Sequence, residues 1–146
     1  YTGRIVYLPK LDTSSVTDMS YMFNYCTTLV SIPQLDTSNV TNMRDMFCDC
    51  YSLVSIPQLN TSKVTNMSEM FYSCRAIQYA NLESVKLSIS LNNTELFTKE
   101  SLLYIINNEA ATSAITITLS SYCYDKYAND SDIVAALSNH PNISLA

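Results

Sequence analysis

Glycine is almost missing from this chain: Gly3 is the single one among 146 residues. Tight turns that need a residue without a Cβ are therefore not how the chain reverses direction. Charged side chains are also scarce, at 14%, with 8 basic against 13 acidic residues and a net charge of −5. No run of Lys and Arg occurs, and without a basic patch a nucleic-acid partner is not expected. No stretch approaches ~20 continuous apolar residues, so no membrane span is expected here. There is one His, and the five Cys are an odd number, which does not suit a small scaffold of paired disulfides.

What is present is a repeat. Leu29-Val30-Ser31-Ile32-Pro33-Gln34-Leu35 recurs 24 residues on as Leu53-Val54-Ser55-Ile56-Pro57-Gln58-Leu59. A looser copy stands 24 residues earlier as Ile5-Val6-Tyr7-Leu8-Pro9-Lys10-Leu11. The columns Met19/Met43/Met67, Met22/Met46/Met70, Phe23/Phe47/Phe71 and Cys26/Cys50/Cys74 keep the same register. Within a unit, Met19, Met22, Phe23 and Cys26 fall at i, i+3, i+4, i+7, which predicts the apolar stripe of a short helix. Asn66 before Met67, with Glu69 three residues on, resembles a capping box, and Asn42 with Asp45 repeats it. Leu29 to Ile32 reads as a short strand that Pro33 stops, because proline has no N–H for a ladder. Asp12-Thr13-Ser14, Asp36-Thr37-Ser38 and Asn60-Thr61-Ser62 then turn the chain through side-chain bonds to nearby backbone.

One such unit cannot bury its apolar face alone, whereas stacked units share one core. Strands stack at ~4.8 Å and helices at ~8–10 Å. The mismatch predicts a bent stack with strands on the concave side. A second period follows. Leu87, Ile115 and Ile143 are 28 residues apart, as are Ile89, Ile117 and Leu145. Strands are expected at Val85 to Leu91, Ile115 to Leu119 and Ile143 to Leu145. Helices are expected between them, capped by Thr98 and Ser131. Residues 1–81 are thus read as 24-residue repeats and 82–146 as a C-terminal cap of longer coils, in one continuous array.

"LDTSNVTNM", "MF..C..L.SIP.L" and their 24-residue recurrence over about residues 5–80 resemble the BspA-like leucine-rich repeats of bacterial surface proteins. The segment "LFTKESLLYIINN" resembles the C-terminal piece that often follows such arrays. The chain departs from that pattern at Thr2, where the first unit would carry its Cys, and at Pro141-Asn142, where Gly-Trp is usual. The resemblance implies an α/β fold, a leucine-rich-repeat-like right-handed solenoid. It also implies secretion or surface display, adhesion to a protein or glycan ligand, no cofactor and no catalysis.

The candidate contact residues are the column Tyr7, Ser31, Ser55 and Tyr79, beside the strand core positions. Tyrosine and serine suit adaptable recognition, through a flat amphipathic ring and a small donor-acceptor; an ordinary solvated sheet face is the alternative. The cysteine column is read as buried free thiols, since helix spacing exceeds the ~7 Å Cα limit of a disulfide and Cys48-Asp49-Cys50 is too tight a pair for a metal clip. His140, beside Pro141 at a helix end, has no nucleophile placed with it. The Met and Phe columns read as core. Six sequons, at Asn39, Asn60, Asn66, Asn92, Asn129 and Asn142, accompany the many polar turns. Further repeats are expected upstream, because Ile5 opens a coil with no polar layer before it. A stalk that only extends another domain, or a glycan-active enzyme built on paired carboxylates, are the alternative functions.

Overall fold

The computed structural model describes residues 8–146. The fold is mixed α/β, with its strands parallel and in small sheets. The elements are β1 (Ser55–Asn60), β2 (Tyr79–Glu83), β3 (Ile89–Leu91), α1 (Lys99–Asn107), β4 (Ile115–Leu119), α2 (Ser121–Tyr127), α3 (Ser131–Asn139) and β5 (Ile143–Leu145). β1 pairs with β2, and β4 lies between β3 and β5.

The 28-residue period is the register of the second sheet. Ile89 faces Ile117, Ile115 faces Ile143, and Ile117 faces Leu145. β4 reads Ile-Thr-Ile-Thr-Leu, and its β-branched alternation buries one face. Thr98 caps α1 as expected, accepting from the Ser101 amide, and α1 buries Leu102, Ile105 and Ile106. The cap of α3 is Asp130 rather than Ser131: its carboxylate accepts from the amides of Asp132 and Ile133. A negative charge there also complements the helix dipole, which a Ser hydroxyl does not. α2 was not anticipated; seven residues with only Cys123 and Tyr127 buried give almost no helical period to read.

The short helices expected in the 24-residue units are absent, and the reason is where the amides go. The amides of Met19, Tyr21, Phe23 and Tyr25 donate to the carbonyls of Asn42, Arg44, Met46 and Cys48 in the next unit. The alternate amides of Met22, Asn24 and Cys26 close turns onto Met19, Tyr21 and Phe23. The second unit repeats the pattern, with Met43, Asp45, Phe47 and Asp49 donating to Asn66, Ser68, Met70 and Tyr72. Turning this tightly takes a left-handed residue every fourth position: Tyr21, Tyr25, Asp45, Asp49, Glu69 and Ser73 have φ of 53–60°. Each left-handed non-glycine residue costs roughly 1–2 kcal/mol, offset by a ladder bond that an isolated two-turn helix would not make with its neighbour. The capping-box reading fails with the helix. Asn66 Oδ1 instead accepts from the Ser68 amide in a local turn.

Both sides of the unit therefore step at ladder spacing, about 4.8 Å, and the mismatch expected to bend the stack does not arise between Met19 and Cys74. Phe23, Phe47 and Phe71 stack face to face, with centroids 5.5 and 6.0 Å apart. The expected burial holds for Met43, Met46, Phe47 and Cys50, whereas Met22 in the first unit is exposed. On the strand side Ser31 bridges Ser55 in parallel, and Val54 donates to Val30. Pro57 does not stop β1 but lies inside it, where the register shifts between Ile56 and Leu59. A bulge is where a strand tolerates a missing N–H. One apolar core runs without a break from Met19 to Ile143.

Candidate functional site

A groove of about 840 Å³ runs across the Asx-turn edge of consecutive units. It is built by columns. Lys10, Gln34 and Gln58 form one wall, and Asp12, Asp36, Asn60 and Glu83 another. The turns that hold these side chains are those expected from the sequence. Asp12 Oδ1 accepts from the Ser14 amide and hydroxyl, and Asp36 Oδ1 accepts from those of Ser38. These bonds hold both carboxyls below the ordinary value of 3.8, the Ser14 and Ser38 hydroxyls contributing most. Beneath them a buried threonine column ties the units together. Thr37 Oγ1 donates to the Asn60 carbonyl (3.0 Å) and accepts the Asn60 amide (2.8 Å). Gln34 reaches the Gln58 carbonyl at 2.6 Å, and Gln58 reaches the Glu83 carboxylate at 2.7 Å. The groove is thus a fixed polar array of donors and acceptors, repeated at ladder spacing.

A second surface carries aromatic side chains on the turn runs. Tyr21, Tyr25, Tyr51 and Tyr72 are all exposed. Asp49, itself buried, is the hub: it accepts from Tyr51 Oη at 2.9 Å and from Cys48 Sγ. Its charge and a hydrogen bond raise the Tyr25 phenol above its ordinary value. Arg44 lies over the Tyr21 ring and Arg75 over the Tyr51 ring, at 5.8 and 5.7 Å. Sequence reading passed over this cluster because Tyr25, Asp49 and Ser73 occupy one column with three different residue types. The signal that could have found it was the richness in tyrosine, 11 in all.

Of the column expected to contact a ligand, Tyr7 lies outside the described residues. Ser31, Ser55 and Tyr79 do form one row, Ser31 bridging Ser55 and Ser55 facing Tyr79. Ser31 and Tyr79 are exposed and Ser55 is half-buried. The row flanks the groove rather than lining it, three residues before Gln34 and Gln58. The five cysteines are free, but the helix-spacing argument for that is overturned with the helices. Cys50 and Cys74 donate to the Phe23 and Phe47 carbonyls of the preceding unit at 3.0 Å, so the column steps at ladder distance. His140 caps the end of α3, with Nδ1 3.2 Å from Glu109 Oε1. Among the described residues no group of three His, Cys, Asp or Glu side chains could hold a metal ion, and no helix is long and apolar enough to cross a membrane.

No curated protein matches the chain, and no solved structure does. Residues 5–105 match the family described as "Mycoplasma protein of unknown function, DUF285". That span holds every 24-residue unit together with both walls of the groove. The chain belongs to the DUF285 family.

Proposed function

We propose that the protein is a non-catalytic binding module of a surface-displayed or secreted protein, engaging a protein or glycan ligand outside the cell. In this reading the 24-residue units and the 28-residue coils form one right-handed, leucine-rich-repeat-like solenoid of the BspA-like kind. The right hand is that of parallel crossover connections generally. The observation that carries the function is the groove, a seat of about 840 Å³ built from repeated polar columns with Leu11 and Leu35 also in its lining. Its size is that of ligand sites generally, ~300–1,000 Å³. The Ser31, Ser55 and Tyr79 row extends the contact face beside it.

The acidic column gives little support to the enzyme alternative. A glycosidase needs one carboxyl kept protonated by a raised pKa, and Asp12 and Asp36 are both shifted down. The stalk alternative predicts a surface without a preferred ligand. An array of glycans and extracellular proteins, probed with the chain and with a Gln34→Ala/Asp36→Ala variant, separates these readings. Binding that the paired substitution abolishes supports the module. A folded protein that binds nothing points to the stalk, and binding left unchanged by the substitution places the site outside the groove.

A further inference from the structure

Away from the groove, a second hollow of about 550 Å³ is lined by Arg75, Asn92, Asn93, Glu95 and Leu96. It shares no residue with the groove. We infer that this hollow is a seat for a neutral pyranose sugar.

The first argument is its chemistry. Arg75 brings one guanidinium with five donors, Glu95 one carboxylate acceptor, and the two asparagine amides both donors and acceptors. The set is balanced in charge, and among the described residues Arg75 and Glu95 are not in ion-pair contact with each other or with another charged group. Such a lining matches hydroxyl groups, which donate and accept at once, better than a net anion or cation. The second argument is apolar surface. Leu96 lines this hollow and is 55% exposed, and the aliphatic stem of Arg75 stands on the other wall. A pyranose offers C–H faces to such surfaces and a rim of hydroxyls to the polar groups around them.

The third argument is rigidity, because a site held in shape before binding loses less on binding. Arg75 is stacked on Tyr51, whose hydroxyl is tied to Asp49. On the other wall, Thr94 is buried and donates to the Leu91 carbonyl at 2.6 Å. The Cys123 thiol sits against the carbonyls of Thr94 and Glu95, and Tyr127 Oη donates to the Phe97 carbonyl at 2.9 Å. Both walls are turns rather than strands. An extended peptide would therefore gain no ladder there, which favours a sugar over a peptide.

The test is a titration of isotope-labelled protein, full chain, with the methyl glycosides of glucose, galactose, mannose and N-acetylglucosamine. Methyl glucuronide and a blocked dipeptide serve as further probes. Saturable shifts are expected at Asn93, Glu95, Leu96 and the Arg75 Nε–H for at least one neutral glycoside, with weaker response to the glucuronide. Arg75→Ala should weaken that binding about tenfold, the scale of one lost charged hydrogen bond. Leu96→Ala, which leaves Arg75 on Tyr51, should weaken it too, while Asp36→Ala in the groove should not. The idea is overturned if no neutral glycoside moves these signals, if the glucuronide or dipeptide binds as well, or if Arg75→Ala and Leu96→Ala, with spectra otherwise native, bind unchanged. Because the two hollows are separate, failure here leaves the groove reading intact, and loss of groove binding leaves this one intact.

Discussion

Cys50 and Cys74 show how much one side chain inherits from the step between units. Each thiol points to a phenylalanine carbonyl of the preceding unit and is fully buried. Burial pushes the Cys50 thiol up to about 12 and the Cys48 thiol up to about 11. The Cys74 thiol is raised further by the same cause. Cys26, on the first described unit, is half-buried and raised by burial alone. The thiolate is the reactive form, so at pH 8 Cys50, Cys74 and Cys48 hold almost none of it. Alkylation of native protein at that pH should therefore mark Cys26 first, and all five sites only after unfolding, read by mass. Native labelling of Cys50 at the rate of Cys26 would contradict this burial. Thr37 is the second residue of this kind. Its hydroxyl serves both the amide and the carbonyl of Asn60. Thr37→Val keeps the shape but leaves a half-buried amide without this partner, and should cost about 1–2 kcal/mol in denaturant unfolding. Thr37→Ser should cost less.

At the scale of the element, the turn runs between Met19 and Cys74 replace a helix with alternating bonds inward and onward. Their weak points are the left-handed residues. Glu69, with φ 55°, is exposed and makes its bonds through the backbone. Glu69→Asn should be tolerated with little change in melting temperature, since asparagine accepts this region. Glu69→Val should destabilise by about 1–3 kcal/mol, because a β-branched side chain resists it. A true helix would behave otherwise: valine there costs under ~1 kcal/mol relative to the best helix formers. The same pair of substitutions thus tests the turn run itself. In the C-terminal part the helices are ordinary ones, and Thr98→Ala should cost about 1 kcal/mol through loss of the α1 cap.

For the whole molecule, one core from Met19 to Ile143 implies one unfolding transition rather than two. β4 is covered by β5 on one side, so removal of residues 120–146 strips its partner and also α2 and α3. That truncation should lower the melting temperature of everything that remains. Deleting residues 33–56, one whole repeat, should instead preserve the fold, because each unit meets its neighbours through the same columns. Deleting half of that span should unfold the chain, since every core residue beyond it loses register. Circular dichroism melts of the three variants decide the matter. The intact-repeat deletion also shortens the groove, so a folded deletion with undiminished ligand binding would move the site elsewhere.

The repeat length, the core columns, the Asx turns and the parallel pairing were legible in the sequence. Each is a local or periodic property: Leu29 and Leu53 occupy equivalent places whatever lies between them, and Asp36 can bond Ser38 without help from the rest of the chain. The register of the second sheet was legible for the same reason, as Ile89, Ile117 and Leu145 mark it directly. Tertiary structure decided what the amides of Met19 to Cys26 would bond to. Met19, Phe23 and Cys26 point inward in a short helix and in a run of turns alike, so an apolar stripe cannot tell them apart. A neighbouring unit at ladder distance settles the choice, because it offers carbonyls that an isolated segment does not have. Tertiary structure also made both hollows. The groove needs three units side by side, and the second hollow needs Arg75 beside Asn92 to Leu96. Neither juxtaposition exists until the chain has folded, because no period links Arg75 to that turn.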